Sequence, residues 1–272
     1  MQKPLITKSQ LITDLQNIGV QAGDTLMLHA SVKAIGWVVG GPRVVLEALL
    51  DVLSAEGTLM MLASWEGNPY DLSQWSEAEQ QRWLDECPPF DPATSPADHR
   101  EMSILSEYLR TWPNACRSAH PLASFVAVGR HAAWLTETHP MNYNLGHHSP
   151  LARLCEADGR ILLLGASFGT LTFLHHAEHL VDIPDKRIDR YKVPILQDDQ
   201  KVWIEIEEFD TTNGIADFGS DNEDYFDDIG QVYIAANRCC VARVGAAQTY
   251  LIQANDIKEF AMQWMQQHYR GT

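Results

Sequence analysis

Two kinds of apolar pattern alternate across residues 7–62, and that alternation restricts the fold more than any other feature of the chain. Residues 7–19 place Leu11, Ile12, Leu15 and Ile18 on one helical stripe that ends at Gly19. A short apolar run, Thr25-Leu-Met-Leu-His29, then reads as a strand. Gly41-Pro42 opens a second helix whose stripe is Val44, Val45, Leu46, Leu49, Leu50 and Leu53. Gly57 to Leu62 is a second buried strand. The order α–β–α–β demands a sheet with helices packed on it. The expected fold is therefore α/β, a central mixed sheet flanked by helices.

The chain after Leu62 changes texture. Residues 63–100 form a long insertion after the second strand, with Ser64-Trp65-Glu66, Tyr70-Asp71, a charged helix and Pro88-Pro89-Phe90-Asp91-Pro92. A loop of that length after a strand is more often a binding lid than a fold element. Further on the pattern predicts a helix over 102–111, a strand over 124–129 and β-like runs over 191–196 and 201–207. A last strand over 239–244 and a closing amphipathic helix over 256–268 complete the reading. With no repeat and no Pro/Ser-rich linker, residues 1–272 read as one domain, with 63–100 as a substrate-side insertion.

Composition limits the partners. The chain has 272 residues, 45% of them apolar, and a net charge of −16. That charge disfavours nucleic acid, whose phosphates need a basic face, and suits a cationic ligand drawn in by a negative field. The five cysteines, Cys87, Cys116, Cys155, Cys239 and Cys240, show no paired metal spacing and read as reduced thiols. Neither a signal peptide nor a membrane-spanning run is evident, so a cytoplasmic location is expected.

Chemistry concentrates where the apolar run Ile161-Leu-Leu-Leu164 hands over to Gly165-Ala-Ser-Phe-Gly-Thr-Leu-Thr172-Phe-Leu-His175-His-Ala-Glu178-His179. Offsets of three and four put Thr172, His175, Glu178 and His179 on one helical face. In α/β folds ligands bind at that end of the strands. His175-His176-Ala177-Glu178-His179 satisfies H-x-x-E-H, which can grip zinc through two histidines with Glu178 as base. Alternatively His175 is a general base, oriented by a carboxylate such as Glu208 at the end of a later strand, with Thr172 donating to an oxyanion or a leaving sulfur. A nucleophilic Cys116, four residues before His120, is a third arrangement. An acidic protein that binds polycations without turnover is a fourth.

The chain also resembles the aminoglycoside 3-N-acetyltransferases. The resemblance runs through His29-Ala-Ser31-Val-Lys33-Ala-Ile-Gly36, Phe90-Asp-Pro-Ala-Thr94, Arg117-Ser118-Ala119-His120-Pro121, Thr172-Phe-Leu-His175-His-Ala-Glu178, Asp182-Ile-Pro184 and Glu208-Phe-Asp210 to Asn213-Gly214. It implies the antibiotic N-acetyltransferase fold and acetyl transfer from acetyl-CoA to the 3-amino group of a 2-deoxystreptamine ring, which confers antibiotic resistance. His175 would be the base, Glu208 its partner and Thr172 the hydroxyl at the thioester, with direct attack by the amine and no metal. The resemblance assigns acetyl-CoA to Ser31, Val32, Lys33, Gly36, Arg117, Ser118, Ala119 and His120. Glycine-freed amides with Lys33 and Arg117 would suit its phosphates. It assigns the polycationic drug to Glu66, Tyr70, Glu178, Asp210 and Asn213. Tyr225-Phe226, His179 and His147-His148 depart from the family's pattern.

Overall fold

The first helix, Lys8–Ile18, begins where Thr7 accepts a hydrogen bond from the Gln10 amide at 3.2 Å and ends at Gly19, whose φ of 108° only glycine adopts without strain. It packs with the helix Arg43–Leu53 over one face of a seven-stranded mixed sheet. The computed structural model describes residues 3–68, 72, 75–100, 102–219 and 225–271. In spatial order the strands are Cys240–Val244, Ala247–Gln253, Arg160–Leu164, Thr25–Ala30, Thr58–Leu62, Phe125–Gly129 and Cys116–Arg117. Thr25–Ala30 lies parallel to both its neighbours, and the remaining pairings are antiparallel.

Alternation along the central strands feeds two cores. Leu26, Leu28, Leu162 and Leu164 join Leu11, Leu15, Leu46 and Leu49 on one face. Met27, Ile161 and Leu163 join Phe173, Leu174 and Ala177 of the helix Phe173–Leu180 and Ile257 and Met265 of the helix Ala254–His268 on the other. Each fully buried side chain of this size contributes about 1.5–3 kcal/mol. The second core seats the helix that carries His175.

The two β-like runs form a separate hairpin, Ile188–Gln197 with Gln200–Phe209. Its turn uses Asp198 and Asp199 at φ 49° and 59°, the left-handed values a two-residue hairpin turn requires. Val193 and Ile206 pack on Trp65, Cys87 and Phe90 of the insertion, a third apolar cluster. Lys201 Nζ donates to the carbonyls of Leu84 and Asp85 at the end of the insertion's helix, Glu77–Glu86.

Two elements differ from expectation. Cys240–Val244 is not the last strand, because Ala247–Gln253 follows and lies between it and Arg160–Leu164. The helix Tyr225–Ala235, with Phe226, Ile229 and Tyr233 buried at helical spacing, is an element that the expectation lacks. Among the described residues no helix is long and apolar enough to cross a membrane.

Candidate active site

The strand Arg160–Leu164 ends at Gly165, and a short turn, Phe168–Thr170, leads to the helix Phe173–Leu180. Thr172, one turn before His175, stands at its start. Gly165 holds φ 69°, and a Cβ there would meet Ala34 Cβ at 2.6 Å, so only glycine allows this crossing. The helix buries Phe173, Leu174 and Ala177 and thereby turns His175 toward open space.

His175 is one end of a hydrogen-bonded chain. Its Nδ1 lies 2.5 Å from Glu178 Oε2, and the Tyr225 hydroxyl donates to Glu178 Oε1. An ionised carboxylate only accepts, so Nδ1–H donates and Nε2 keeps its lone pair. The Glu178 side chain is 1% exposed, while His175 retains 24%. Phe226 holds the imidazole from the side, ring centroids 4.8 Å apart. The Lys186 ammonium feels the charges of Glu178 and Asp182, although burial holds its pKa below the ordinary lysine value.

A second pair lies one turn on. His179 Nε2 is 2.5 Å from Glu208 Oε1, and His179 Nδ1 donates to the His175 carbonyl at 2.7 Å. Glu208 also accepts from the Asn144 backbone amide at 2.6 Å and from its side-chain amide. This corrects the expected pairing of Glu208 with His175. The strand Gln200–Phe209 delivers its carboxylate to the next helical turn, and the orienting group for His175 is Glu178, three residues along the same helix. Both Glu178 oxygens accept hydrogen bonds within the protein, at the wall of a cavity that Glu178 shares with His175. His175 and His179 do not present a paired zinc grip: both nitrogens of His179 are held by protein groups.

His175 lies between two cavities. One, a cleft of about 1070 Å³, is lined by Ser31, Val32, Lys33, His99, Arg100, Ser103, Gly165, Ser167, Thr172 and His175. Lys33 and Arg100 bring positive charge there, in a chain that is otherwise strongly acidic. The other, about 530 Å³, is lined by His175, Glu178, Thr211, Thr212, Asn213, Asp217, Tyr225 and Phe226 among others. A histidine with a free ring nitrogen thus borders a cleft with cations on one side and a cavity with acidic and amide groups on the other.

The remaining expected residues divide. Ser31, Val32, Lys33 and Thr172 share the large cleft with His175, and Asn213 lines the smaller cavity. Arg117, Ser118 and His120 do not reach the cleft. The Arg117 guanidinium donates to Ser124 Oγ at 2.9 Å and to the carbonyls of Ser95 and Ala63, which ties the insertion to the sheet. Ser118 is fully buried against His139 at 2.8 Å, and His120 is sealed with Nε2 on the Met141 carbonyl at 3.2 Å. Burial pushes the His120 pKa down to about 4, so it stays neutral. Ala119 is exposed and Gly36 packs on Ile6 and Pro4; neither is in the cleft lining. Glu66 is exposed outside both linings. Asp210 accepts from the Asn213 backbone amide at 2.9 Å and sets that loop instead of facing the smaller cavity. Tyr70 lies outside the described residues.

Sequence reasoning missed Arg100, His99 and Ser103 in the cleft and Asp217 in the cavity. It noticed Tyr225 and Phe226 only as departures, although both touch the His175–Glu178 pair. An aromatic pair beside an acidic tract was the available signal.

Residues 27–266 match the family model of aminoglycoside 3-N-acetyltransferase. Aminoglycoside N(3)-acetyltransferase III of Pseudomonas aeruginosa is 46% identical over 97% of this chain and 94% of its own. Its counterpart VIII of Streptomyces fradiae is 42% identical over 98% and 94%. Among solved structures, AAC-IIIb in a binary complex with CoASH is 40% identical, with a TM-score of 0.90 over 99% of both chains. Sisomicin-bound AAC-VIa is 34% identical, with a TM-score of 0.90 over 98% of this chain and all of its own. With the family model, the sequence relatives and the solved structures all matching it along nearly its full length, the chain belongs to the aminoglycoside 3-N-acetyltransferase family.

Proposed function

We propose that this chain is an acetyl-CoA-dependent aminoglycoside N(3)-acetyltransferase in which His175, held by Glu178 and Tyr225, is the general base. The observation that carries this reading is the single free nitrogen of His175 at the junction of the two cavities. The large cleft supplies Lys33 and Arg100 for the phosphates of acetyl-CoA. The smaller cavity supplies Asp217, Asn213 and the Thr211 and Thr212 loop to an aminoglycoside ammonium or hydroxyl.

His175 Nε2 takes a proton from the 3-amino group of the 2-deoxystreptamine ring as its nitrogen bonds to the thioester carbonyl. Glu178 steadies the imidazolium that forms, because its carboxylate already accepts the Nδ1 proton. As the tetrahedral centre collapses, the C–S bond breaks and its electron pair leaves with the CoA sulfur. Thr172, on the same helical face and lining the same cleft, can donate to that sulfur. The products are the amide and the CoA thiolate, which becomes the free thiol by taking up, through solvent, a proton equivalent to the one that His175 gives back. The drug loses a cationic site that it would use against ribosomal RNA, which is the basis of resistance. Residues 63–100 are the substrate-side insertion of a single domain: Ser64, Asn68 and Asp98 line a further cavity of about 270 Å³ with Asn144, Tyr191 and Glu208. A cytoplasmic location fits five cysteines that are all free.

The test is thiol release from acetyl-CoA with gentamicin, in chelator-treated buffer, for wild type and His175→Ala. Drug-dependent release should fall by roughly 10²–10⁴ in the variant. Near wild-type turnover in His175→Ala would reject the base, and no release by wild type with any 2-deoxystreptamine drug would reject the substrate.

A further inference from the structure

The helix Tyr225–Ala235 opens with three residues that each meet a different part of the site. Tyr225 donates to Glu178, and the Phe226 ring lies against His175. Asp227 reaches a separate segment. Its Oδ1 accepts from the Gly169 backbone amide at 2.8 Å, 58 residues back along the chain.

The turn around Gly169 otherwise ties itself together. The Thr170 amide donates to the Ser167 carbonyl at 3.2 Å, Leu171 to the Phe168 carbonyl at 2.9 Å and Thr172 to the Thr170 carbonyl at 3.0 Å. Of the amides of residues 169–172, that of Gly169 is the one bound outside the turn. Phe168 is a second anchor on the same helix: it is buried over Gly230, where a Cβ would meet Phe168 Cγ at 2.3 Å. The turn needs such anchors, because Gly169 has more backbone freedom than any other residue type. Its place matters too. Ser167, Gly169, Thr170 and Thr172 line the large cleft, and Gly169, like His175, also lines the smaller cavity.

We propose that Asp227 is a positioning residue for the transfer. By holding the Gly169 amide it fixes the turn where the two cavities meet, and with it the place of the thioester relative to His175. The inference rests on the acetyl-transfer reading above. Asp227 lines neither the cleft nor the smaller cavity, so it acts through the turn and not on a ligand. No bond is made or broken at Asp227. What it supplies is an acceptor oxygen at one place, and its charge is not required. Reacting atoms displaced by about 1 Å lose on the order of 10²-fold in rate, so the effect falls on kcat.

The experiment compares wild type, Asp227→Ala and Asp227→Asn in kcat at saturating acetyl-CoA and in the Kd of gentamicin. Hydrogen exchange of the Gly169 amide, read by NMR on protein labelled with ¹⁵N-glycine, is the third measurement. Asp227→Ala, which removes the acceptor, should lower kcat by roughly 10–10². Asp227→Asn keeps an oxygen in the same place and should stay within about threefold of wild type. Gentamicin should bind all three within about twofold, a retained affinity that also shows the fold intact. The Gly169 amide should be protected in wild type and Asp227→Asn and exchange at least about tenfold faster in Asp227→Ala. An unchanged kcat in Asp227→Ala would overturn the assignment. So would an equal fall in both variants, which would make the charge and not the hydrogen bond the cause, or a fall matched by an equal loss of drug affinity. If Asp227→Ala does not fold, wild type and Asp227→Asn decide: an unprotected Gly169 amide in wild type, or a protected one in an Asp227→Asn enzyme of tenfold lower kcat or less, rejects the proposal. Wild type that releases no thiol with any 2-deoxystreptamine drug would reject the acetyl-transfer reading instead, whatever the Gly169 amide shows.

Discussion

Two histidine–carboxylate pairs sit one turn apart on the same helix, and by distance they are identical at 2.5 Å. They differ in what the second nitrogen meets. His175 gives one nitrogen to Glu178 and keeps the other at the cavities, with 24% of its side chain exposed. His179, whose side chain is 1% exposed, gives one nitrogen to Glu208 and the other to the His175 carbonyl. A carboxylate beside an imidazole therefore does not mark a base. A base also needs an uncommitted lone pair and a path to substrate, which only the first pair has. The second pair joins three pieces of chain: the catalytic helix, the hairpin strand carrying Glu208, and the loop carrying Asn144.

The comparison breaks first at Glu178. Glu178→Gln leaves an amide that can donate to Nδ1, which moves the lone pair away from the substrate. Steady-state kinetics should show kcat down by roughly 10³–10⁴. A loss below tenfold would mean that Glu178 does not set the tautomer. His179→Ala should do the reverse. Removing one partner of a buried pair costs about 3–5 kcal/mol, so Tm should fall clearly while kcat per folded enzyme stays within about tenfold. A variant of unchanged Tm and lost turnover would move the catalytic role to the second pair.

Acid should act on the sealed side as well. His120 and His176, which hold the carbonyls of Met141 and Leu145 beside Asn144, have their pKa values lowered by burial to about 4 from 6.5. Between those values the unfolded chain binds more protons than the folded one. Their contribution is therefore complete above pH 6.5 and declines as pH falls toward 4, by roughly 2 kcal/mol per histidine at pH 5. Denaturant midpoints at pH 7 and pH 5 for wild type and His176→Asn measure it, and an equal acid sensitivity in the two would refute the assignment. The smallest change is Tyr225→Phe. It removes one donor from Glu178 and should lower kcat by about tenfold with little change in Tm.

How much of this could be read beforehand depended on the range of the interaction. Helical spacing alone put Thr172, His175, Glu178 and His179 on one face, because positions three and four apart meet whatever surrounds the helix. The Glu178–His175 pair belongs to that local class, yet the pull of a separate strand-end carboxylate directed attention to Glu208. Which helical turn Glu208 reaches depends on how the hairpin packs on Trp65 and Phe90, and no local pattern encodes that. Arg117-Ser118-Ala119-His120 illustrates the converse. The family resemblance assigns it to acetyl-CoA, whereas Arg117, Ser118 and His120 form internal ties between the insertion, the sheet and the 139–145 loop. Strand Ala247–Gln253 escaped notice because its polar alternation, with Gln248 exposed and Thr249 buried, resembles a surface turn until Arg160–Leu164 pairs with it.

By itself the sequence determined the alternation of stripes and strands, hence an α/β sheet covered on both faces, and the helical face bearing His175. These follow from side-chain periodicity and from the need to bury apolar surface, which act within a few residues. Tertiary structure alone decided which histidine keeps a free nitrogen, which carboxylate serves it and which polar motifs are sealed inside. Those outcomes depend on burial and on hydrogen bonds between segments far apart in the chain, and they exist only once the two cores have closed.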